Sequence, residues 1–490
     1  LSPATTLPAT TTTTPASASA PAPASAGPDL PRSPLLVEWA RALPRGPVPV
    51  LPAVAVLALL CAPHTGGGEG ATAADAASAV LVLFVAVRVV RARARPLNRT
   101  AALVFGAPVL ALTAAAFGAA DPATGIAGLG RYLQIFVLVP LALLLLLRGA
   151  RDFRVLAWAL VGLALVQGGL GVAQFATGTG ASYMGSDIRA VGTFGAGDVM
   201  GMATVVAYGL IAAAGLALAP PGGVHRLQRP VALGCALALT APLALSFSRG
   251  AWIATGAVLG LQLLWAGPRR ALRVLAAASA AGIVLVGGFG VGSAMLQERV
   301  TSITRVAAAP DRSVSDRYTM WAAAAGMWRE HPVTGVGLKG FPAHRDSHAS
   351  LGLSAGSDTA GAGQAFRVQP LLSPHNMYLL VLGEQGLLGL LALAGGWAAL
   401  AVCGLRRLAP ALRHPGPGRA GDCGLVACGL LVWQLVDFAY ADIGGPATVM
   451  TAIGLGLAAW WGLSGAARGG AVPARAGAGA GVVTAEGDAG

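Results

Sequence analysis

The sequence predicts an all-α polytopic membrane protein with about 12 transmembrane helices and one long extracytoplasmic loop between spans nine and ten. Three observations carry this expectation. Apolar residues make up 55% of the 490 residues and charged residues 11%, with a mean hydropathy of +0.68. A soluble chain of this length needs far more charge to cover its surface. Apolar runs of about 20 residues, the length that crosses a bilayer as a helix, recur along the chain. Finally, basic residues collect in alternate loops between those runs, as membrane topology demands.

Residues 1–46 are expected to form a disordered cytoplasmic tail. Their Thr/Ala/Pro/Ser-rich start has no apolar periodicity. It also lacks the basic region and short apolar core of a signal peptide. Nine spans are expected within 47–292, near 48–63, 71–90, 100–118, 131–147, 154–176, 198–219, 231–247, 251–267 and 274–292. The first is short and Pro-rich. A polar insert, 293–376, follows as the extracytoplasmic loop. Spans ten to twelve lie within 377–466, near 377–404, 423–440 and 446–465. A Gly/Ala-rich tail, 467–490, is expected to be disordered and cytoplasmic.

The loop charges orient this scheme. With both termini inside, the inner loops hold Arg88 to Arg99, Arg148 to Arg154, Arg269 to Arg273 and Arg406 to Arg419. The short outer loops near 64–70, 119–130 and 441–445 carry only Glu69, Asp121 and Asp442. The net charge of +13 therefore reflects topology and not nucleic-acid binding. Arg131, Arg189, Arg249 and the basic residues of the insert fall outside, against the rule. Arginines that cluster at an interfacial cavity commonly bind anions.

Within the insert, Gln297 to Arg305 reads as a polar helical piece. Ser315 to Glu330 reads as an amphipathic helix with Tyr318, Trp321, Ala325 and Trp328 at helical spacing, ended by Pro332. The stretch 344–365 is Ser/Gly/Ala-rich and reads as a mobile part of a lid.

Each candidate functional residue has a plain structural alternative. Arg249, in the tight turn Ser246-Phe247-Ser248-Arg249-Gly250, sits at headgroup depth, where a lipid diphosphate would lie; it could equally snorkel at the end of a span. Arg317 could pair with Asp316 or Asp311, and Arg189 with Asp187. His375 stands at a membrane boundary between Pro374 and Asn376. An imidazole there can take a proton from a hydroxyl, or simply bond to the helix entry. Glu384 and Asp437, carboxylates in or beside spans, are either substrate-binding or helix-packing groups.

Several other motifs are set aside. Gly335-Val336-Gly337-Leu338-Lys339-Gly340 has dinucleotide-loop spacing but no preceding strand, so it reads as a turn. His344 and His348 lack the carboxylates or cysteines of a metal site. The five cysteines show no Cys-x-x-Cys spacing. No Asp-x-Asp pair occurs, which argues against a metal-dependent transferase using nucleotide sugars. No cofactor is expected.

Three ordered stretches carry a resemblance: Ser248-Arg249-Gly250; Asp316-Arg317-Tyr318-Thr319-Met320-Trp321 running into His331-Pro332-Val333-Thr334-Gly335-Val336-Gly337; and His375-Asn376-Met377-Tyr378-Leu379 followed by Gly383-Glu384-Gln385-Gly386-Leu387-Leu388-Gly389. Arg189-Ala190-Val191-Gly192-Thr193-Phe194 is a weaker fourth. Together they resemble the O-antigen ligase and O-antigen polymerase superfamily of bacterial membrane glycosyltransferases. The resemblance implies a multi-pass protein of the cytoplasmic (inner) membrane. It implies metal-independent, inverting transfer of a glycan from an undecaprenyl-diphosphate donor to a glycan, lipid or protein acceptor. By that analogy Arg249 and Arg317 hold the diphosphate and His375 is the general base. A polysaccharide polymerase is the nearest alternative. A secondary transporter of a small anion is a more distant one, because no repeat relates the two halves.

Overall fold

The computed structural model describes residues 50–63, 72–93, 97–183, 186–195, 198, 200–219, 227–283, 312–350, 353, 357–361, 367–369, 371–413 and 420–467. The expected N-terminal tail, the helical piece Gln297 to Arg305 and all but the first residue of the C-terminal tail lie outside them; of the stretch 344–365, expected to be mobile, residues 344–350, 353 and 357–361 are described and include the end of a helix and a strand.

Fourteen helices run through the described residues: α1 (Leu51–Leu59), α2 (Ala73–Arg91), α3 (Arg99–Phe117), α4 (Pro122–Leu146), α5 (Ala150–Thr177), α6 (Gly201–Leu218) and α7 (Gln228–Leu245). They continue with α8 (Arg249–Ala266), α9 (Pro268–Ile283), α10 (Arg312–Glu330), α11 (Phe341–His348), α12 (Met377–Arg413), α13 (Gly421–Asp437) and α14 (Val449–Ala467). Local chemistry fixes their starts. Thr72 and Asp75 form a reciprocal capping box on α2. Asn98 caps α3, Asp121 caps α4 ahead of Pro122, and Ser248 caps α8. Within α4, Gln134–Leu138 widens into a π-helical turn just before Pro140, which has no N–H to offer.

Among the described residues, seven helices are long and apolar enough to cross a membrane: α2, α3, α4, α5, α6, α7 and α12. The expected count of about twelve is not confirmed. The first expected span is only the nine-residue α1, about 14 Å long. Helix α8 carries Arg249 and Gln262, α13 has 17 residues, and the apolar part of α14 is Val449–Ser464. Helix α6 is the centre of the bundle, with most of its residues buried.

Side-chain contacts sort the helix ends into two groups. At one end Arg154 makes a bidentate ion pair with buried Asp422, at 2.6 and 3.1 Å. There too Arg270 reaches the Leu218 carbonyl at 2.6 Å, and Arg407 reaches that of Trp461 at 2.6 Å. These arginines belong to the loops expected to be cytoplasmic. At the other end the polar insert meets the loops expected to be outside: Leu338 N–H donates to the Ala115 carbonyl at 3.1 Å, at the end of α3.

Four short strands add to the helical body: β1 (Ala181–Tyr183), β2 (Ser186–Arg189), β3 (Ser357–Gly361) and β4 (Arg367–Gln369). They form an antiparallel sheet in the order β2-β1-β3-β4, with Ala181 opposite both Arg189 and Gly361. The sheet joins the loop after α5 to the insert, which a purely helical reading does not foresee.

Candidate functional site

The site is built on a break in α12. At Gly386 the backbone leaves helical geometry, with φ 64° and ψ −161°. A helix broken there exposes backbone groups that need partners. The turn after α10 supplies them. Val336 and Gly337 N–H donate to the carbonyls of Gly383 and Glu384 at 2.9 Å, and Leu387 and Leu388 N–H donate to those of Pro332 and Val333 at 2.9 and 3.1 Å. Gly335 also has positive φ, and a Cβ there would stand 2.4 Å from the Glu384 carbonyl carbon. The glycine-rich stretch is thus a turn seated in the helix break, as its sequence context suggests. Helix α10, which ends in that turn, is held against α12.

His375 sits two residues before α12 with φ 49°, unusual for a residue with a Cβ. Its neighbours hold it in that conformation. The Trp321 indole N–H on α10 donates to the Pro374 carbonyl at 2.8 Å. Asn376 Nδ2 donates to the Ala439 carbonyl at 2.9 Å, while its Oδ1 caps the Leu379 N–H at 3.0 Å. Met377 N–H donates to the carbonyls of Phe438 and Ala441. His375 N–H donates to Ser373 Oγ at 3.3 Å, and Ser373 Oγ–H in turn donates to Asp442. Burial pushes the imidazole pKa below 6.5; the Asp442 carboxylate opposes that shift and the Arg317 guanidinium adds to it. Burial thus favours the neutral imidazole, and both the Asp442 carboxylate and the Arg317 guanidinium lie within its electrostatic reach.

Arg249 opens α8 in the turn expected from the sequence. Phe247 takes φ 51° and Ser248 Oγ accepts the Ala251 N–H at 3.2 Å, which leaves Arg249 exposed at the helix start. Gly250 lies so close to Tyr440 that a Cβ would come within 2.3 Å of the ring. Tyr440 lies within electrostatic reach of Arg317, and its buried hydroxyl stands beside the Asp437 carboxylate. The start of α8, Tyr440, Arg317 and His375 therefore belong to one neighbourhood. Among the described residues neither Arg249 nor Arg317 has an ion-pair partner. The suggested Arg317 pairing with Asp316 is not formed, and Asp311 lies outside the described residues.

Of the other expected site residues, Asp437 adjoins Tyr440 of this group. Arg189 ends β2, and the next residue's N–H donates to the Leu245 carbonyl at 3.2 Å, just before the Arg249 turn. Arg189 makes side-chain interactions of its own. Glu384 is buried behind the seated turn, and its Oε1 accepts the Phe341 N–H at 3.2 Å at the start of α11. Asp437 is buried beside Gln434, which donates to it at 3.3 Å. Arg131, counted among the outside arginines, pairs with Asp75 in α2 and with Gln134 at 3.1 Å, so its charge is balanced within the fold. Glu330 lies 3.1 Å from His348 Nε2. Asp442, which the sequence offers only as an acid in a short outer loop, is the carboxylate facing His375.

Residues 233–394 match a family model described as O-antigen ligase. A search of curated proteins finds no match. The matched segment includes Arg249, Arg317, His375 and Glu384, and leaves Arg189 and Asp437 outside. That match covers about a third of the chain, over stretches that build the site, and makes this segment similar to the O-antigen ligase family.

Proposed function

We propose that the protein transfers a glycan from an undecaprenyl-diphosphate donor to an acceptor hydroxyl at the outer face of the cytoplasmic membrane. The observation that carries this reading is the placement, in one neighbourhood, of His375, whose buried imidazole is held toward its neutral form, and two arginines, Arg249 and Arg317, that have no ion-pair partner among the described residues. Arginines without an acidic partner among the described residues suit a ligand that brings its own negative charge.

In this reading Arg249 and Arg317 bind the diphosphate. The acceptor hydroxyl attacks the anomeric carbon as His375 takes its proton. The bond from that carbon to the diphosphate oxygen breaks, and its electron pair leaves with the diphosphate, whose growing charge the arginines offset. Direct attack inverts the anomeric centre. Asp442 acts through His375, by stabilising the imidazolium that forms. The energy resides in the donor, so the proposal includes neither nucleotide nor metal. Arg189, Glu384 and Asp437 complete the expected set.

The test uses purified protein in lipid with undecaprenyl-diphosphate oligosaccharides and candidate acceptors. Transfer without added nucleotide or metal is expected. One glycan added per acceptor indicates a ligase, and a ladder of lengths indicates a polymerase. No transfer to any acceptor, together with uptake of a small anion by sealed vesicles, would replace this reading with transport.

A further inference from the structure

Helix α10 presents a second feature beside Arg317. Tyr318 is 58% exposed, yet its ring is braced: it meets Trp321 nearly edge-on, with centroids 5.5 Å apart and planes at 80°. Trp321 is itself fixed, through its bond to the Pro374 carbonyl just before His375. Arg317 and Tyr318 lie four and three residues before Trp321, so on a helix they flank the indole one turn away. An oriented, solvent-facing aromatic ring therefore stands next to the cation nearest the base.

The chemistry of a diphosphate-linked sugar gives this ring a use. Its anomeric carbon is bonded to a phosphate oxygen, so a diphosphate held at Arg317 leaves the first sugar ring immediately beside it. The face of a pyranose that carries axial C–H groups is apolar and packs on aromatic faces, while its hydroxyls stay wet. A tyrosine at the edge of a wet site suits that contact. The bilayer interface also attracts tyrosine. Here, however, the ring is held by the residue that grips the His375 segment, which favours the reaction centre.

We propose that Tyr318 is the stacking platform for the first sugar of the lipid-linked donor, and so a determinant of donor choice. This rests on the reading of Arg317 as a diphosphate ligand.

The experiment compares binding of two detergent-soluble probes, a short-chain prenyl diphosphate and the same lipid diphosphate carrying one pyranose. Wild type, Tyr318→Ala, Tyr318→Phe and Arg317→Ala are assayed as full-length protein. Tyr318→Ala should weaken the sugar-bearing probe about tenfold and leave prenyl diphosphate unchanged, while Tyr318→Phe restores binding. Arg317→Ala should weaken both. Equal effects of Tyr318→Ala on the two probes, or none on either, would overturn the platform and assign the ring to the membrane interface. Failure of wild type to bind prenyl diphosphate would overturn the diphosphate reading itself, and the platform with it.

Discussion

Trp321 and Pro374 are joined by an indole-to-carbonyl hydrogen bond of 2.8 Å, which ties the helix bearing Arg317 to the residue before His375. The two residues come from either end of the insert, so this bond and the seated turn at Gly386 set where the arginine stands relative to the base. Trp321→Phe keeps most of the ring but loses the donor. It should lower kcat about tenfold while leaving thermal stability in detergent nearly unchanged, since one hydrogen bond is worth about 1 kcal/mol. Steady-state transfer assays with melting curves check this.

The helix break should tolerate no side chain. A Cβ on Gly386 would come 2.3 Å from the Val333 carbonyl oxygen, in a left-handed conformation besides. Gly386→Ala should cost about 2 kcal/mol or more and abolish activity. Gly395 lies on the same helix, where a Cβ would meet nothing within 4 Å, and Gly395→Ala should behave as wild type. Equal melting temperatures for the two variants would contradict the interlock.

The pH profile follows from His375. The base must be neutral, and burial holds its pKa below 6.5, so transfer should be flat around pH 7 and fall as the pH drops through that lowered value. Asp442 favours the protonated form. Asp442→Asn should therefore move the acid limb to still lower pH, while reducing the plateau because the imidazolium loses its counter-charge. A limb that moves to higher pH would contradict the placement of Asp442.

The arginines divide by what they meet. Arg317→Lys keeps a charge but loses the planar fork, and should retain part of the activity. Arg249→Ala and Arg317→Ala should each lower kcat/KM by at least a hundredfold, with measurable donor binding left in each because the other cation remains. Kinetics over a range of donor concentrations separate these effects.

Much of this was legible in the sequence because it is local. Apolar runs mark the positions of α2, α3, α5, α6 and α7 within a few residues and the start of α12, which runs on to Arg413, nine residues past the expected end, and the Ser246 to Gly250 turn announces the start of α8. What was not legible depends on partners distant in the chain. Ser373 and Asp442 are 69 residues apart, and Arg131 and Asp75 are 56 apart, so neither pairing leaves a spacing signal. The strands are three to five residues long and mostly small or polar, with no sustained alternation of apolar residues, so only their pairing reveals them. The turn at Gly335 could be read from its glycines, but not the helix break at Gly386 that receives it. Apolar composition does not by itself settle the number of spans: α13, with 17 residues, and the apolar part of α14 lie at the short end of what crosses a bilayer.

The central claim is that His375 removes the acceptor proton. The most direct test is single-turnover transfer by wild type and His375→Ala, in lipid, with donor binding measured on the same preparations. Unchanged donor binding with transfer reduced at least a thousandfold is the predicted result. Equal transfer by both would contradict it and remove His375 from the chemistry.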